Sequence, residues 1–486
     1  MTTTHTNLSQ QFWSKFALNN WEKDNLAIKH SFISPPIASD ELFKIVVNDF
    51  NTADDVHDRT RFYIGEKLQE LDKSDIRLPQ KQDASFASYN QRISTMLNGQ
   101  EYALVIDAIK VNDVLWDWTY DFLQSLYKSL GYISYGHFYS IFYGNYHVTP
   151  FGVHFHFNPA ESAFYFPITG GKSMRTWTPE FVNKHPKLKG AKNYQDFLES
   201  STLLQAEPGG MIYWPSDRWH VGDSRGGDVS IVLAINTSSD LVMQLSQMIC
   251  DEIKYLYGDS IKGFFFKRIT QALAQWHSLN EEMKILGGDS FKGYPVSPLI
   301  RAGIGLLSLI LSIVPSRQIT TKSFFNPDDL QESAEKIPES IQLAAKKFKW
   351  IVGSIIIERA STKLWLTMLT CYGFWPLSAS QMISEKKGVL TSESSIQVFP
   401  KRKILFRQVD KNNTLVFING IGINVTSHPI FPLIIKKINS VEIQNVAEIL
   451  QLSRTVVDDS NNNCQIADVI KFLEELLLYR GIKIVK

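Results

Sequence analysis

Two histidines, His154 and His156, stand two residues apart in GVHFHFNPAESAFYFP, and a third, His220, follows in WPSDRWHVGDS. In a β-strand alternate residues share a face, so His154, His156 and Asn158 point one way. Two imidazoles on one strand face suit a divalent transition metal, because imidazole is a good ligand for iron, copper, nickel and zinc. A single histidine there reads better as a hydrogen-bonded core residue. A registered pair, with His220 arriving after a Pro208-Gly209-Gly210 turn, a Met211–Trp214 strand and a Pro215 turn, reads as one metal site. The competing reading of His220 is a surface-loop histidine beside Trp219.

Such a site needs strands to hold it. From Gly136 to Asn236 the chain runs in short aromatic and β-branched segments broken by Gly and Pro, the pattern of an all-β barrel. Ahead of it, residues 12–47 predict a helix, a short strand at Leu26–Lys29, a Pro-Pro turn and a second helix with Ser39 and Asp40 as candidate caps. Val114–Leu130 predicts a further helix. After Asn236, Leu241–Tyr257, Phe264–Leu286 and Ala344–Thr367 carry apolar residues at helical spacing, and the polar residues 315–340 read as a linker. Near Ser380 a last module begins. There KILFRQV and TLVFING predict a hairpin, followed by helices at Phe431–Ile438, Val441–Leu450 and Ile466–Tyr479 and a terminal strand IKIV after Gly481. That order is winged-helix-like. The expected architecture is α+β, with boundaries at 1–240, 241–379 and 380–486.

Composition limits the function. A chain of 486 residues is too long for one simple core. Fifty basic and 49 acidic side chains leave a net charge of +1, which gives no nucleic-acid footprint. Cys250, Cys371 and Cys464 are far apart and form no CxxC pair, which argues against disulfides and thiolate zinc and for a reducing cytoplasm. The opening MTTTHTNLSQQFW has no secretory pattern. The most apolar run, Ala302–Val314, is 13 residues long and ends at Pro315, short of the ~20 that span a bilayer. It reads as a buried helix or a dimer face, so a homodimer and no membrane are expected.

The HxH and HxN segment, the following GGK and the PGG…WP…WH block resemble the Jumonji-C type of iron(II)- and 2-oxoglutarate-dependent oxygenase over about residues 10–240. FW…NWEKDNLAIK…ELF is similar to the N-terminal opening of the cupin-like ribosomal oxygenase branch. The resemblance implies a double-stranded β-helix (cupin or jelly-roll) barrel, a helical dimerisation region and a C-terminal winged helix. It also implies a facial triad of two histidines and one carboxylate, and here the sequence departs from the family. If His156 is the first histidine, Asn158 takes the acid position. If His154 is first, His156 takes it and the site is three-histidine. Glu161, five residues after His156, is a third option, resembling the three-His-one-Glu set of metal-binding cupins. The registers using both His154 and His156 are preferred, because they need no amide ligand. Lys172 matches the family's lysine for the distal carboxylate of 2-oxoglutarate, although a solvated lysine at a hairpin tip would look the same in sequence. Tyr139, Tyr143 and Asn236 flank the same barrel and are candidates to line the pocket, with Arg175 and Trp177 ambiguous.

The resemblance implies an oxygenase that hydroxylates a side chain of a peptide or protein substrate, with Fe(II) as cofactor and 2-oxoglutarate as cosubstrate. The C-terminal module also looks like the small domain that recognises leader segments of ribosomally made precursor peptides by adding them to a sheet edge. A DNA-binding role fits poorly, since Ile466–Tyr479 has one Lys against three acids. Two other functions stay open: a three-histidine cupin oxygenase that does not use 2-oxoglutarate, and a non-catalytic metal-binding interaction module.

Overall fold

The structure, a computed structural model, describes residues 8–53, 55–72, 74–156, 160–224, 226–237, 241–257, 325–346, 348, 354–376, 390–399, 401–409, 413–426, 428–440, 442–455 and 465–485. These fall into two compact units. The first draws on Met1–Leu130 and Gly136–Ser238; the second takes Gly131–Tyr135 and the described residues from 241 onward.

Among the described residues the first unit has eleven strands: β1 (Leu26–Ile28), β2 (Thr60–Ile64), β3 (Lys67–Gln69), β4 (Tyr102–Ile106), β5 (Phe138–Gly144), β6 (Glu161–Pro167), β7 (Lys172–Trp177), β8 (Thr202–Ala206), β9 (Met211–Trp214), β10 (Trp219–Ser224) and β11 (Asp228–Asn236). One antiparallel sheet runs β1-β9-β6-β11-β5-β4-β2-β3, and a second runs β10-β7-β8. Both faces of β4, β6, β9 and β11 are buried, which is why these segments read as near-continuous apolar runs rather than alternating ones.

Register sorts the two faces of the large sheet. Ser140 and Phe142 of β5 lie opposite Val232 and Ser230 of β11, which lie opposite Tyr165 and Pro167 of β6. Tyr165, Ala163, Val232, Ile212 and Trp214 from this face share one apolar cluster with Met174, Leu204 and Ala206 from the small sheet. The two sheets therefore face each other across a common interior. The opposite face, carrying Phe164 and Phe166, packs against the helix Asp113–Leu130, where Phe122 meets both rings edge-on at 5.0 and 5.6 Å. Asn112 caps that helix by accepting the Leu115 N–H at 3.0 Å, and Gly131, at φ +73°, follows its last residue.

In the second unit, helices Leu241–Tyr257 and Ser354–Cys371 pack together, with Glu339–Lys346 against the first of them. Glu252 is buried between helices and pairs with Arg359 at 2.6 Å and with Lys363. The described residues of the C-terminal portion form two three-stranded sheets. One orders β16 (Gln444–Asn445), β12 (Ser395–Val398) and β17 (Ile482–Val485); the other orders β13 (Leu405–Gln408), β14 (Asn413–Ile418) and β15 (Ile421–Thr426). Their apolar faces close on the helices Ile430–Ile438 and Ile466–Leu478 around Ile418, Ile434, Phe431, Phe472 and Leu473.

Several local expectations shift. The second N-terminal helix runs Ser39–Thr52 with Ala38 at its N-cap, and neither Ser39 nor Asp40 caps it by a side chain; both lie inside the first turn. Part of the expected 315–340 linker is helical at Leu330–Glu335, capped by Asp329, and Glu339 begins the next helix. The expected Val441–Leu450 helix begins at Val446 and runs to Thr455, because Gln444 and Asn445 pair with β12. The predicted helix Phe264–Leu286 and the apolar run Ala302–Val314 lie outside the described residues. Among the described residues, no helix is long and apolar enough to cross a membrane.

Candidate metal centre

His154 pairs antiparallel with His220. The His154 N–H donates to the His220 carbonyl at 3.0 Å, and the His220 N–H returns to the His154 carbonyl at 2.8 Å. This reciprocal pairing sets both side chains side by side on one face, with ring centroids 4.3 Å apart. His156, two residues on, completes the set, with its ring 5.4 Å from His154 and 5.5 Å from His220. One ring nitrogen from each of the three lies within 4.8 Å of the other two. His220 is buried, His154 half-buried and His156 exposed.

Backbone carbonyls choose the tautomers. His154 Nδ1 lies 3.0 Å from the Gly152 carbonyl, and His220 Nδ1 lies 3.0 Å from the Arg218 carbonyl. A carbonyl can only accept, so both Nδ1 atoms carry the proton and both Nε2 atoms keep a free lone pair. Gly152 is needed for this approach: its φ is +70°, and a Cβ there would sit 2.6 Å from the Gly190 carbonyl oxygen. Burial, reinforced by the neighbouring His156, holds His220 down to about 3. His154 is held well below the ordinary imidazole range, first by burial and then by His220 and His156. Both rings are thus neutral at ordinary pH, the form that ligates metal. Three convergent neutral imidazoles fit a divalent first-row ion.

Glu161 lies outside the trio. Its Oε2 is 3.4 Å from His156 Nδ1, and it sits buried at the start of β6 opposite Asn236 of β11. Burial, then the nearby Asp107 carboxylate, pushes Glu161 up to about 8; a cation held by the histidines would act the other way. Asn236 shares this inner face and is buried, its backbone N–H donating to His137 Nδ1 at 3.3 Å. Asn158 lies outside the described residues.

Lys172 is buried, not solvated at a hairpin tip. In the β7–β10 register Lys172, Met174 and Thr176 oppose Ser224, Gly222 and His220, so Lys172 and His220 share the inner face of the small sheet. Its Nζ donates to Tyr146 Oη at 3.1 Å and lies 4.6 Å from that ring's centroid. Burial depresses the ammonium to about 7 despite the opposing pull of Asp228 and Asp223.

Tyr143 is a correction. It belongs to the other face of β5, where its hydroxyl donates to the Phe86 carbonyl at 2.6 Å and its ring packs on Phe86 and Tyr89. Tyr139 points the same way, with its hydroxyl 3.0 Å from Thr119 Oγ1. Strand parity excludes both from the interior. Arg175 and Trp177 likewise alternate away from Lys172, bonding Ser201 and the Phe197 carbonyl. Sequence reasoning missed Tyr146, which follows the Gly144 strand end, and Asp107, which follows the apolar run YALVI. Asp107 accepts from Arg61 and Ser140, each at 2.7 Å. No local motif marks either residue.

No protein-family model matches the chain, and no curated protein matches it. Solved structures do. The chain is similar to the ribosomal oxygenase YcfD of Escherichia coli, with 13% identity, a TM-score of 0.37 and 98% of each chain covered. It is similar to YcfD in complex with cobalt and succinic acid at 14% identity and a TM-score of 0.39, again over 98% of each chain. A complex of YcfD with cobalt and 2-oxoglutarate gives 12% identity and a TM-score of 0.39 over 98% of each chain. Each of these three solved structures is described as a ribosomal oxygenase, one holding cobalt and succinic acid and one holding cobalt and 2-oxoglutarate.

Proposed function

We propose that this chain is an iron(II)- and 2-oxoglutarate-dependent oxygenase that hydroxylates a side chain of a peptide or protein. The observation that carries the reading is the shared inner face of β7 and β10, with His220 four register positions from a buried Lys172. Four extended residues span ~13 Å between Cα atoms. Two side chains reaching inward across that distance suit a short dicarboxylate, with a divalent cation at one end and an ammonium at the other. In finer detail, we read the two sheets as a double-stranded β-helix. Supporting this, the chain alternates between the large and small sheets from β5 through the His154 segment to β11, interrupted only by the β7–β8 hairpin.

His154, His156 and His220 would hold the ion, and Lys172 with Tyr146 would hold the distal carboxylate of 2-oxoglutarate. When bound, ferrous iron would supply open positions where the keto acid and oxygen meet, with oxygen as the oxidant and its reduction shared between decarboxylation of 2-oxoglutarate to succinate and hydroxylation of the substrate C–H bond. The rest is the protein's part. Buried Met174 and Trp214, in the apolar cluster between the two sheets, would exclude water on the inner side, while the exposed His156 would leave the centre open to a side chain reaching in from a larger molecule. The C-terminal sheets and helices, read as a winged-helix or leader-recognition module, would then serve substrate capture.

One observation favours a second reading. His156 at the usual acid position gives a three-histidine set, which suits an oxygenase that works without 2-oxoglutarate. Anaerobic titration of 2-oxoglutarate into the iron-loaded protein separates the two. The proposal expects a visible charge-transfer band at one equivalent, and succinate once oxygen and substrate are added. Tightly bound iron with no band and no succinate would overturn it in favour of the second reading.

A further inference from the structure

The metal reading leaves an electrostatic gap. A triad of two histidines and a carboxylate brings one negative charge to a divalent ion, and three neutral histidines bring none. Metal-bound histidines commonly donate their second ring N–H to an acceptor that fixes the ring and raises its basicity. His154 and His220 have such acceptors in the Gly152 and Arg218 carbonyls. No backbone carbonyl fills that place for His156 among the described contacts; the group facing its Nδ1, at 3.4 Å, is the Glu161 carboxyl.

Glu161 is itself unusual. It is buried at 8% exposure, on the inner face of β6, and the polar side chain described against it is the His156 ring, at 3.4 Å. Nearby Asp107 already spends its oxygens on Arg61 and Ser140. Buried carboxylates are paired or serve a cation, so a buried acid 3.4 Å from the second nitrogen of a ligand ring points to the ion beyond that ring.

We propose that Glu161 is the positioning carboxylate of the centre: it accepts the Nδ1–H of His156, turns Nε2 to the ion, and supplies from behind the ring the negative charge missing from the ligand set. Glu161 does not touch the ion. This inference rests on the metal reading, and the experiment keeps the two apart.

Metal-free full-length protein is titrated anaerobically with Co(II), following both affinity and the visible ligand-field bands, for wild type, Glu161→Gln, Glu161→Ala and His220→Ala. Loss of an outer partner typically costs ~10–100-fold in metal affinity. The expected result is at least a fivefold loss in Glu161→Gln, a loss of ~10–100-fold in Glu161→Ala, and band positions that report the same coordination number as wild type. Metal-free Glu161→Gln should unfold at a denaturant midpoint no lower than wild type, whereas a purely structural role would lower it. Either Glu161 variant binding within twofold of wild type would overturn the inference, as would a changed coordination number, which would make Glu161 a direct ligand. If instead wild type binds no Co(II), or His220→Ala binds as tightly as wild type, the metal reading itself fails.

Discussion

Lys172 shows what a single residue can and cannot disclose. Its place after Gly170-Gly171 was legible in the sequence, but its burial was not, because only the β7–β10 pairing turns that side chain inward. Burial lowers its folded pKa from 10.5 to about 7. Between those values the unfolded chain holds a proton that the folded chain lacks, so unfolding free energy rises with pH across this window. Lys172 should therefore contribute stability that grows from pH 7 toward 10, and the wild-type minus Lys172→Met difference in urea midpoints should follow that rise along the pH series. The same variant should keep its Co(II) affinity and lose about 2 kcal/mol or more of 2-oxoglutarate binding, roughly 30-fold, read by calorimetry. Unchanged 2-oxoglutarate affinity would remove Lys172 from the site. The histidine register was open for a related reason: alternation puts His154 and His156 on one side equally well, and only the His154–His220 bridge shows which of them pairs with His220. Tyr143 bonds Phe86 on the far face of β5, whereas Tyr146, past the strand end at Gly144, reaches Lys172, and no motif in FYSIFYGNYH marks the difference.

At the scale of elements, the β6–β7 turn aims Lys172. Gly170 has φ +65°, and a Cβ there would fall 1.6 Å from Asp228 Oδ1. Gly170→Ala should cost about 2 kcal/mol or more, through both the backbone conformation and the displaced aspartate, and weaken 2-oxoglutarate binding with it. A denaturant midpoint equal to wild type would show that the turn relaxes freely. Strands and helices with strong patterns were readable: Leu241–Tyr257, the β13–β14 hairpin and the helix beginning at Ile466 sit where periodicity puts them. Elements held by distant partners were not. The short β16 exists by pairing with β12, and β12 by lying between β16 and β17, and nothing local in SIQV or QN announces that.

Across the whole molecule, the three histidines, Glu161 and Lys172 all belong to the first compact unit. Phe472 is buried in the core of the second, so Phe472→Ala should destabilise that unit by ~3–5 kcal/mol while Co(II) affinity stays within twofold. A large loss of affinity in that variant would mean that the site depends on the second unit. The central claim is that one divalent ion is held by His154, His156 and His220. Anomalous diffraction at the cobalt edge, from crystals grown with Co(II), tests it most directly. The account predicts one strong peak bonded to one ring nitrogen of each of these histidines, with Glu161 behind His156 and not bonded to the ion. A crystal whose cobalt peak lies elsewhere, or which shows no peak among these three rings at saturating Co(II), would contradict it.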